Sequence, residues 1–137
     1  MGLIHLDAGV VIGFLDGNDA HHQAARSMLA DALHRGDRLA MASTAFAECL
    51  VGPARRGTSE IHIVQDLFER LPIAIVALDS RTALAAAQLR ARHRSLRLPD
   101  AIVIATAVEG VADQLVTTDR RWPSARALKI KPTIRHL

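Results

Sequence analysis

Four acidic residues of this chain stand where acids are unusual, because each adjoins or lies within an apolar segment. They are Asp7, Glu48, Asp100 and Asp119. Four ionised carboxylates cannot share a low-dielectric crevice unaided, since their repulsion raises some pKa values and leaves protons bound at neutral pH. A bound cation removes that conflict. Oxygen ligands without a thiolate or imidazole select a hard ion, and a site that keeps waters and receives a phosphate favours Mg²⁺, with Mn²⁺ as the alternative, over Ca²⁺.

A magnesium site with open positions suits reactions at phosphorus. The ion activates a water and stabilises the negative charge that builds at phosphorus during in-line displacement. Such a site needs no Ser, Cys or His nucleophile, and the sequence has no persuasive one. The alternative is that the acids have ordinary structural roles; Asp100, directly after Pro99, has the position of a helix-start residue. The predicted function therefore depends on whether the four carboxylates lie close together in the folded protein.

Apolar patterning predicts an alternation of strands and helices that would bring the acids together. Strands are predicted at residues 3–6, 39–42, 73–78 and 115–118, with a short last strand at 128–130. Helices are predicted from 8 to 15, from an N-cap at Asp19 to Gly36, from a cap at Ser43 or Thr44 to Gly52 and Pro53, from 59 to 71, from a cap at Asp79 to about 93, and from about Asp100 to Gly110.

This alternation indicates an α/β fold with a mostly parallel sheet covered by helices on both faces. Half of the residues are apolar, so residues 1–137 are expected to form one domain. Function in such sheets gathers at the carboxyl ends of the strands, where Asp7 and Asp119 both fall. Helices that follow strands begin at the same edge, so Glu48 and Asp100 can lean into the same crevice. One crevice could therefore hold all four acids.

Basic residues are concentrated in the second half of the chain. The formal net charge is only +3, yet residues 81–97 contain five arginines and no acid, and six basic residues and no acid follow Asp119. Arginine outnumbers lysine by 15 to 2, and its planar fork suits phosphate recognition. This distribution favours a polyanionic partner. With no Tyr, one Trp and three Phe, the chain lacks the aromatic platforms of base-stacking modules.

The sequence also bears on the compartment. Cys49 is the only cysteine, which excludes an internal disulfide and suits a reducing environment. The N-terminus has neither a basic region nor a long enough apolar region for export, and the longest apolar stretches are shorter than a membrane span. A cytoplasmic protein without a membrane segment is therefore expected.

Four segments resemble, in this order and spacing, those of the PIN-domain ribonucleases, and most closely the VapC-type toxins of bacterial toxin–antitoxin pairs. They are LDAGVVIGFL at 6–15, AECLVGPARRG at 47–57, LRLPDAIVIATA at 96–107 and LVTTDRRW at 115–122. Each segment alone is a weak signal, but the ordered set is specific and spans nearly the whole chain. The resemblance implies a three-layer α/β/α sandwich with a central, mostly parallel sheet. It also implies that Asp7, Glu48, Asp100 and Asp119 form an acidic metal site.

The same resemblance implies a Mg²⁺-dependent endoribonuclease that acts as the toxin of a toxin–antitoxin pair and leaves a 5′-phosphate and a 3′-hydroxyl. Asp7 and Asp100 are the expected direct ligands, whereas Glu48 acting through a water and Asp119 binding only a second ion are open alternatives. Thr117 is implied to support the last acid or a metal-bound water. The implied partners are a cognate antitoxin, an RNA substrate and a second copy of the chain. Candidate RNA contacts are Arg55, Arg56, Arg92, Arg97 and Arg120.

One departure from the family pattern lies beside the first acid. The family usually has Thr or Asn and then Ser after this Asp, whereas this chain has Ala8 and Gly9, so weaker metal affinity or a different ion is expected.

Other classes fit less well. A dinucleotide-binding oxidoreductase would need G-x-G-x-x-G after the first strand, and an aspartyl phosphatase would need an acid at position 9. A DNA-directed nuclease is another alternative within the enzyme class, although no DNA-reading element is evident. The non-enzyme alternative is a PIN-like module that binds RNA or protein without cutting.

Overall fold

A computed structural model describes all residues, 1–137, and contains a five-stranded sheet with seven helices. The strands are β1 (Leu3–Leu6), β2 (Arg38–Ala42), β3 (Ile73–Val76), β4 (Gln114–Thr117) and β5 (Thr133–His136). The helices are α1 (Ala8–Leu15), α2 (His22–Arg35), α3 (Ser43–Arg56), α4 (Thr58–Arg70), α5 (Ser80–Arg92), α6 (Leu98–Glu109) and α7 (Ala125–Leu128). The strand order is β3-β2-β1-β4-β5, and every neighbouring pair is parallel. The predicted α/β fold with a parallel sheet and helical layers is confirmed.

The core lies between the central strands and the helices that cover them. Leu6 on β1 and Leu115 on β4 are fully buried, and burial of such a side chain stabilises the fold by about 1.5–3 kcal/mol. Helix α6 is apolar on nearly every side, and its residues 103–107 are all buried between α5, α3 and the sheet. This packing fixes the first turn of α6, which carries Asp100, relative to β1 and β4.

Several predicted boundaries are confirmed by local chemistry. Asp79 is the N-cap of α5, and its carboxylate accepts a hydrogen bond from the Thr82 N–H at 2.8 Å. Gly36 ends α2 in the left-handed conformation, with φ of 75°. Helix α6 has Pro99 in its first turn as predicted, but it begins at Leu98, two residues before Asp100, and so slightly earlier than predicted.

The predicted ends of α3 are wrong. The helix runs through Pro53 to Arg56, and the chain turns at Gly57, whose φ is 129°. Pro53 removes only the hydrogen bond to the Cys49 carbonyl, and both residues are buried, so their packing compensates for the missing bond. The N-cap is Ala42, with no side-chain cap, so neither Ser43 nor Thr44 has that role.

The predictions for the start of α2 and for the last strand are also wrong. Asp19 accepts a hydrogen bond from the His21 N–H in the preceding turn, and His21 is the N-cap of α2. Residues 128–130 are not a strand, because Ser124 caps the short helix α7 and Lys129 ends it in a left-handed conformation. The last strand is β5, which pairs with β4. No helix has both the length and the apolar character needed to cross a membrane.

Candidate active site

The four acids reach the carboxyl edge of the sheet from four different elements. Asp7 follows β1 and is the N-cap of α1, and Asp119 lies two residues beyond the end of β4. Because β1 and β4 are parallel neighbours, their carboxyl ends are adjacent. Glu48 lies in the second turn of α3, which follows β2 directly, and Asp100 lies in the first turn of α6.

Asp7 is the most deeply placed of the four, with 9% of its surface exposed. One carboxylate oxygen accepts the Ala8 N–H at 2.9 Å, and the other accepts the Thr117 hydroxyl at 2.8 Å. Burial raises the pKa of Asp7 to about 6, although these two hydrogen bonds oppose the rise; the charges of Asp100 and Glu48 raise it further. Asp7 therefore lies close enough to both acids to be repelled by them.

Thr117 connects the ends of the two central strands. Its side chain is fully buried, and its hydroxyl donates to Asp7 while accepting the backbone N–H of Asp119 at 3.0 Å. The family resemblance implied support for the last acid. Here the hydroxyl contacts the first acid directly and the last acid only through its backbone.

Glu48 and Asp100 also have raised pKa values. For Glu48 the largest cause is burial, followed by the charge of Asp100. For Asp100 it is burial, followed by the charge of Asp119. Arg97 opposes both shifts, and its Nε lies 3.9 Å from a carboxylate oxygen of Asp100. Each acid is thus electrostatically coupled to at least one other.

Asp119 differs from the other three because an arginine holds it. The guanidinium of Arg121 donates from Nε and Nη2 to the two carboxylate oxygens, each at 3.0 Å, and the Arg121 backbone N–H donates to the carboxylate at 2.9 Å. These side-chain bonds are the main reason that the pKa of Asp119 is lowered. Asp119 is therefore ionised and already paired with a cation.

The donor set fits a hard divalent cation. It consists of carboxylate oxygens only, and burial together with mutual repulsion raises the pKa of three of the four acids, which a bound positive charge would reverse. With the side chains as they stand, no three His, Cys, Asp or Glu residues are grouped closely enough to hold an ion.

A small cavity of about 80 Å³ lies beside two of these acids, Asp100 and Asp119. Its lining residues are Ser95, Arg97, Asp100, Asp119, Arg121 and Trp122. Sequence reasoning did not single out Ser95, Arg121 or Trp122. The signal available for the last two was their place directly after Asp119, where a turn folds side chains back towards the acid.

The five arginines predicted as RNA contacts are dispersed. Arg97 lines the cavity with Asp100 and Asp119, and Arg56 lines a larger cavity with Glu48 while lying 3.7 Å from Glu60. Arg55 is exposed near the end of α3, and Arg120 donates to the carbonyl of the last residue. Arg92 lines a cavity with His93 and residues of α7 and shares none with the four acids.

The structure gives a reason for Gly9, one of the two residues at which this chain departs from the family pattern. A Cβ added at Gly9 would lie 2.2 Å from the Thr118 hydroxyl oxygen, so that hydroxyl occupies the space which a side chain at position 9 would need. Only glycine fits this first turn of α1 while Thr118 keeps its position.

Comparisons with known proteins agree on one fold. Residues 4–128 match the family model described as PIN domain. Three similar solved structures are FitAcB from Neisseria gonorrhoeae, VapBC2 from Rickettsia felis bound to a DNA fragment from their promoter, and VapC20 from Mycobacterium tuberculosis, described as a sarcin–ricin loop cleaving toxin.

The FitAcB match covers 97% of this chain and 96% of that one, at 19% identity and a TM-score of 0.72. The VapBC2 match covers 98% of both chains, at 15% identity and a TM-score of 0.70. The VapC20 match covers 82% of this chain and 86% of that one, at 14% identity and a TM-score of 0.67. At these identities they show a shared fold. A comparison with curated proteins gives no match.

Proposed function

This chain belongs to the PIN-domain family, and we propose that it is a metal-dependent endoribonuclease, a single PIN domain over residues 1–137 that acts as the cytoplasmic toxin of a toxin–antitoxin pair. The observation that carries the proposal is the buried carboxylate of Asp7 beside Asp100 and Glu48, with the pKa values of all three raised. Burying mutually repelling acids lowers stability, and a bound cation is the simplest compensation.

In this proposal Mg²⁺ or Mn²⁺ is held by Asp7, Glu48, Asp100 and Asp119. When bound, such an ion lowers the pKa of a nucleophilic water and neutralises negative charge that develops at phosphorus. The chain's own groups provide the positioning. The Thr117 hydroxyl and the Ala8 N–H fix both oxygens of Asp7, so that carboxylate cannot rotate. Arg97, at the rim of the cavity, attracts the RNA backbone.

The proposed protein partners are a cognate antitoxin and a second copy of the chain. One similar solved structure, from Klebsiella pneumoniae, is described as a toxin–antitoxin complex, and another is described as VapBC-1 from Haemophilus influenzae. In this chain a cavity of about 380 Å³ lies between α1 and α3 and reaches Glu48, with Ile12 and Leu15 among its lining residues. A neighbouring cavity continues along α4, where Ile63 is 57% exposed. An antitoxin segment lying there would cover the approach to the acids.

The second candidate is a PIN-like module that binds RNA or protein without cutting. The spacing of the acids favours it, since no three of them are grouped for an ion as they stand. Against it is the chemistry of Asp7: a neutral oxygen acceptor would suffice to cap α1 and to accept the Thr117 hydroxyl, yet the position has a buried acid whose pKa is raised to about 6.

Cleavage of a mixed RNA pool by the purified, antitoxin-free protein tests the proposal. We expect cuts with Mg²⁺ or Mn²⁺, none with EDTA, and none with Asp100→Asn. The matched control is Asp31→Asn, because Asp31 is an exposed acid of α2 away from the site, and this variant should cut normally. RNA binding without cleavage under every condition would favour the non-catalytic module.

A further inference from the structure

The cavity beside Asp100 and Asp119 has an excess of hydrogen-bond donors. Three side chains with donor groups line it, those of Ser95, Arg97 and Arg121, and the side chain of Trp122 forms another part of its wall. The only side-chain acceptors besides the Ser95 hydroxyl are the two carboxylates. A phosphate, which has acceptor oxygens and no donors when ionised, is complementary to such a lining.

Trp122 provides an independent sign that a ligand belongs here. Its side chain is 6% exposed, and Nε1 is buried with no hydrogen-bond partner. The indole N–H interacts with Asp100 and lowers the pKa of that acid, but it makes no hydrogen bond of good geometry to the carboxylate. Buried N–H groups are rarely left without a well-placed acceptor, so this donor next to the cavity is incompletely satisfied.

The two arginines are free to change partners. The side chains of Arg97 and Arg121 are 72% and 78% exposed, so both extend over the rim of the cavity. Arg97 lies 3.9 Å from Asp100, which is too far for a strong hydrogen bond, and Arg121 holds Asp119 by an exposed pair of bonds. Exposed ion pairs contribute little to stability, so another anion can replace the carboxylate at small cost.

We propose that this cavity binds a phosphate group of the RNA backbone, and that Arg121 exchanges the Asp119 carboxylate for that phosphate. The inference rests on the proposed function, because it names how the same site holds its substrate. The fork of Arg121 that spans the two oxygens of Asp119 has the geometry to span two phosphate oxygens.

The exchange links RNA binding to the acids. While Arg121 holds Asp119, that carboxylate is occupied by a cation from its own chain. Once the guanidinium of Arg121 moves to a phosphate, Asp119 keeps only the backbone N–H of Arg121 on one oxygen, and its other oxygen becomes available to a metal ion. Metal and RNA therefore favour each other's binding, and the coupling is reciprocal.

RNA binding in EDTA tests the pocket without any cleavage. The probe is a fluorescently labelled, mixed-sequence single-stranded RNA, and the readout is its anisotropy over a range of salt concentrations. We expect Arg121→Ala to weaken binding about five- to ten-fold and to reduce the salt slope by about 0.7, as for one phosphate contact. Arg121→Lys keeps the charge without the fork, so it should retain the slope and recover part of the affinity.

The matched control is Arg126→Ala, because Arg126 is an exposed arginine on α7 outside the cavity. This variant should lose less than two-fold in RNA affinity. Equal losses for Arg121→Ala and Arg126→Ala would overturn the inference, since Arg121 would then be an ordinary surface charge.

Metal binding is a second readout, and for it the same variant, Arg121→Ala, should have a higher affinity instead of a lower one. Calorimetric titration with Mn²⁺ in the absence of RNA should show that Arg121→Ala binds the ion up to about five-fold more tightly than the wild type, because Asp119 has lost its competing cation. Unchanged or weaker Mn²⁺ binding by Arg121→Ala would overturn the exchange.

The two experiments, RNA binding in EDTA and Mn²⁺ titration, also distinguish failure of this inference from failure of the proposed function. A wild-type protein that binds no Mn²⁺ refutes the metal-dependent nuclease and with it the exchange. A selective loss of RNA binding by Arg121→Ala in EDTA would still support the phosphate pocket in a non-cutting module. A protein that cuts RNA normally and loses no affinity in Arg121→Ala refutes the pocket alone.

Discussion

Replacement of Asp7 by Asn should stabilise the metal-free protein at neutral pH. The native environment raises the pKa of Asp7 to about 6 from an ordinary value of 3.8, so the folded protein disfavours the ionised form. Above pH 6 this penalty is fully present. It falls as the pH drops towards 3.8, because the native carboxyl then binds a proton that the unfolded chain does not bind.

The magnitude follows from the two pKa values. A difference of about two corresponds to about 3 kcal/mol of lost stability at pH 8. Asn keeps one acceptor for the Ala8 N–H or the Thr117 hydroxyl and must rearrange at the other, which costs about 1 kcal/mol. The net gain for Asp7→Asn at pH 8 is therefore about 2 kcal/mol.

Urea unfolding of the wild type and the variant in EDTA, from pH 4 to pH 8, measures this difference. The difference in the free energy of unfolding should be largest at pH 7–8, vanish at about pH 4.5 and slightly favour the wild type at pH 4. Taking the difference between the two proteins cancels most of the pH dependence of the other groups, such as Asp79 and Asp37, whose pKa values are lowered. The control Asp31→Asn, at an exposed acid of α2, should match the wild type throughout.

The reasoning would be refuted if Asp7→Asn were no more stable than the wild type at pH 8, or if the gap did not change with pH. An added divalent ion should make the wild type more stable than Asp7→Asn. It stabilises only the protein that binds it, so the wild type gains with ion concentration while the variant gains little.

Three further predictions concern neighbouring groups. Thr117→Val removes a donor that lowers the pKa of Asp7, so the acidic limb of the pH profile for RNA cleavage should move to higher pH without loss of fold by circular dichroism. Gly9→Ala must displace the Thr118 hydroxyl, so it should gain less than the about 1 kcal/mol that Ala normally adds over Gly in a helix, and adding Thr118→Ala should recover that gain; a purely additive double variant would contradict the contact. Burial raises the pKa of the Cys49 thiol to about 12, so iodoacetamide should alkylate it at pH 8 only in denaturant, and rapid alkylation of the native protein would contradict its placement.

Strand-to-helix transitions were predictable where a single residue type decides them. An extended apolar segment followed by Asp7 marks the end of β1, and Asp79 and Gly36 mark helix ends by capping chemistry. The parallel sheet follows from this alternation. These features depend on local sequence, so the fold class could be predicted from the sequence alone.

Features that depend on tertiary packing could not be predicted from the sequence. Pro53 usually ends a helix, yet α3 continues because the buried contacts of Cys49 and Pro53 outweigh one lost hydrogen bond. Strand β5 has a single apolar residue, Ile134, and exists because β4 offers it an unpaired edge. The short apolar run at 128–130 has no period that separates strand from helix.

In the candidate site, too, some features could be predicted from the sequence and others depend on tertiary structure. The acids could be selected by residue type and by their place beside apolar segments. Their present pairing could not, because the hold of Arg121 on Asp119 depends on the conformation of one turn. The role of Thr117 likewise depends on the register between β1 and β4.

The central claim is that the four acids hold a divalent ion, and calorimetric titration of Mn²⁺ into the metal-free protein and its four amide variants tests it most directly. These variants are Asp7→Asn, Glu48→Gln, Asp100→Asn and Asp119→Asn. We predict saturable binding to the wild type, severe loss in Asp7→Asn and Asp100→Asn, and smaller losses in the other two. Absence of binding to a folded wild type, or binding that survives unchanged in Asp7→Asn and Asp100→Asn, would contradict the claim.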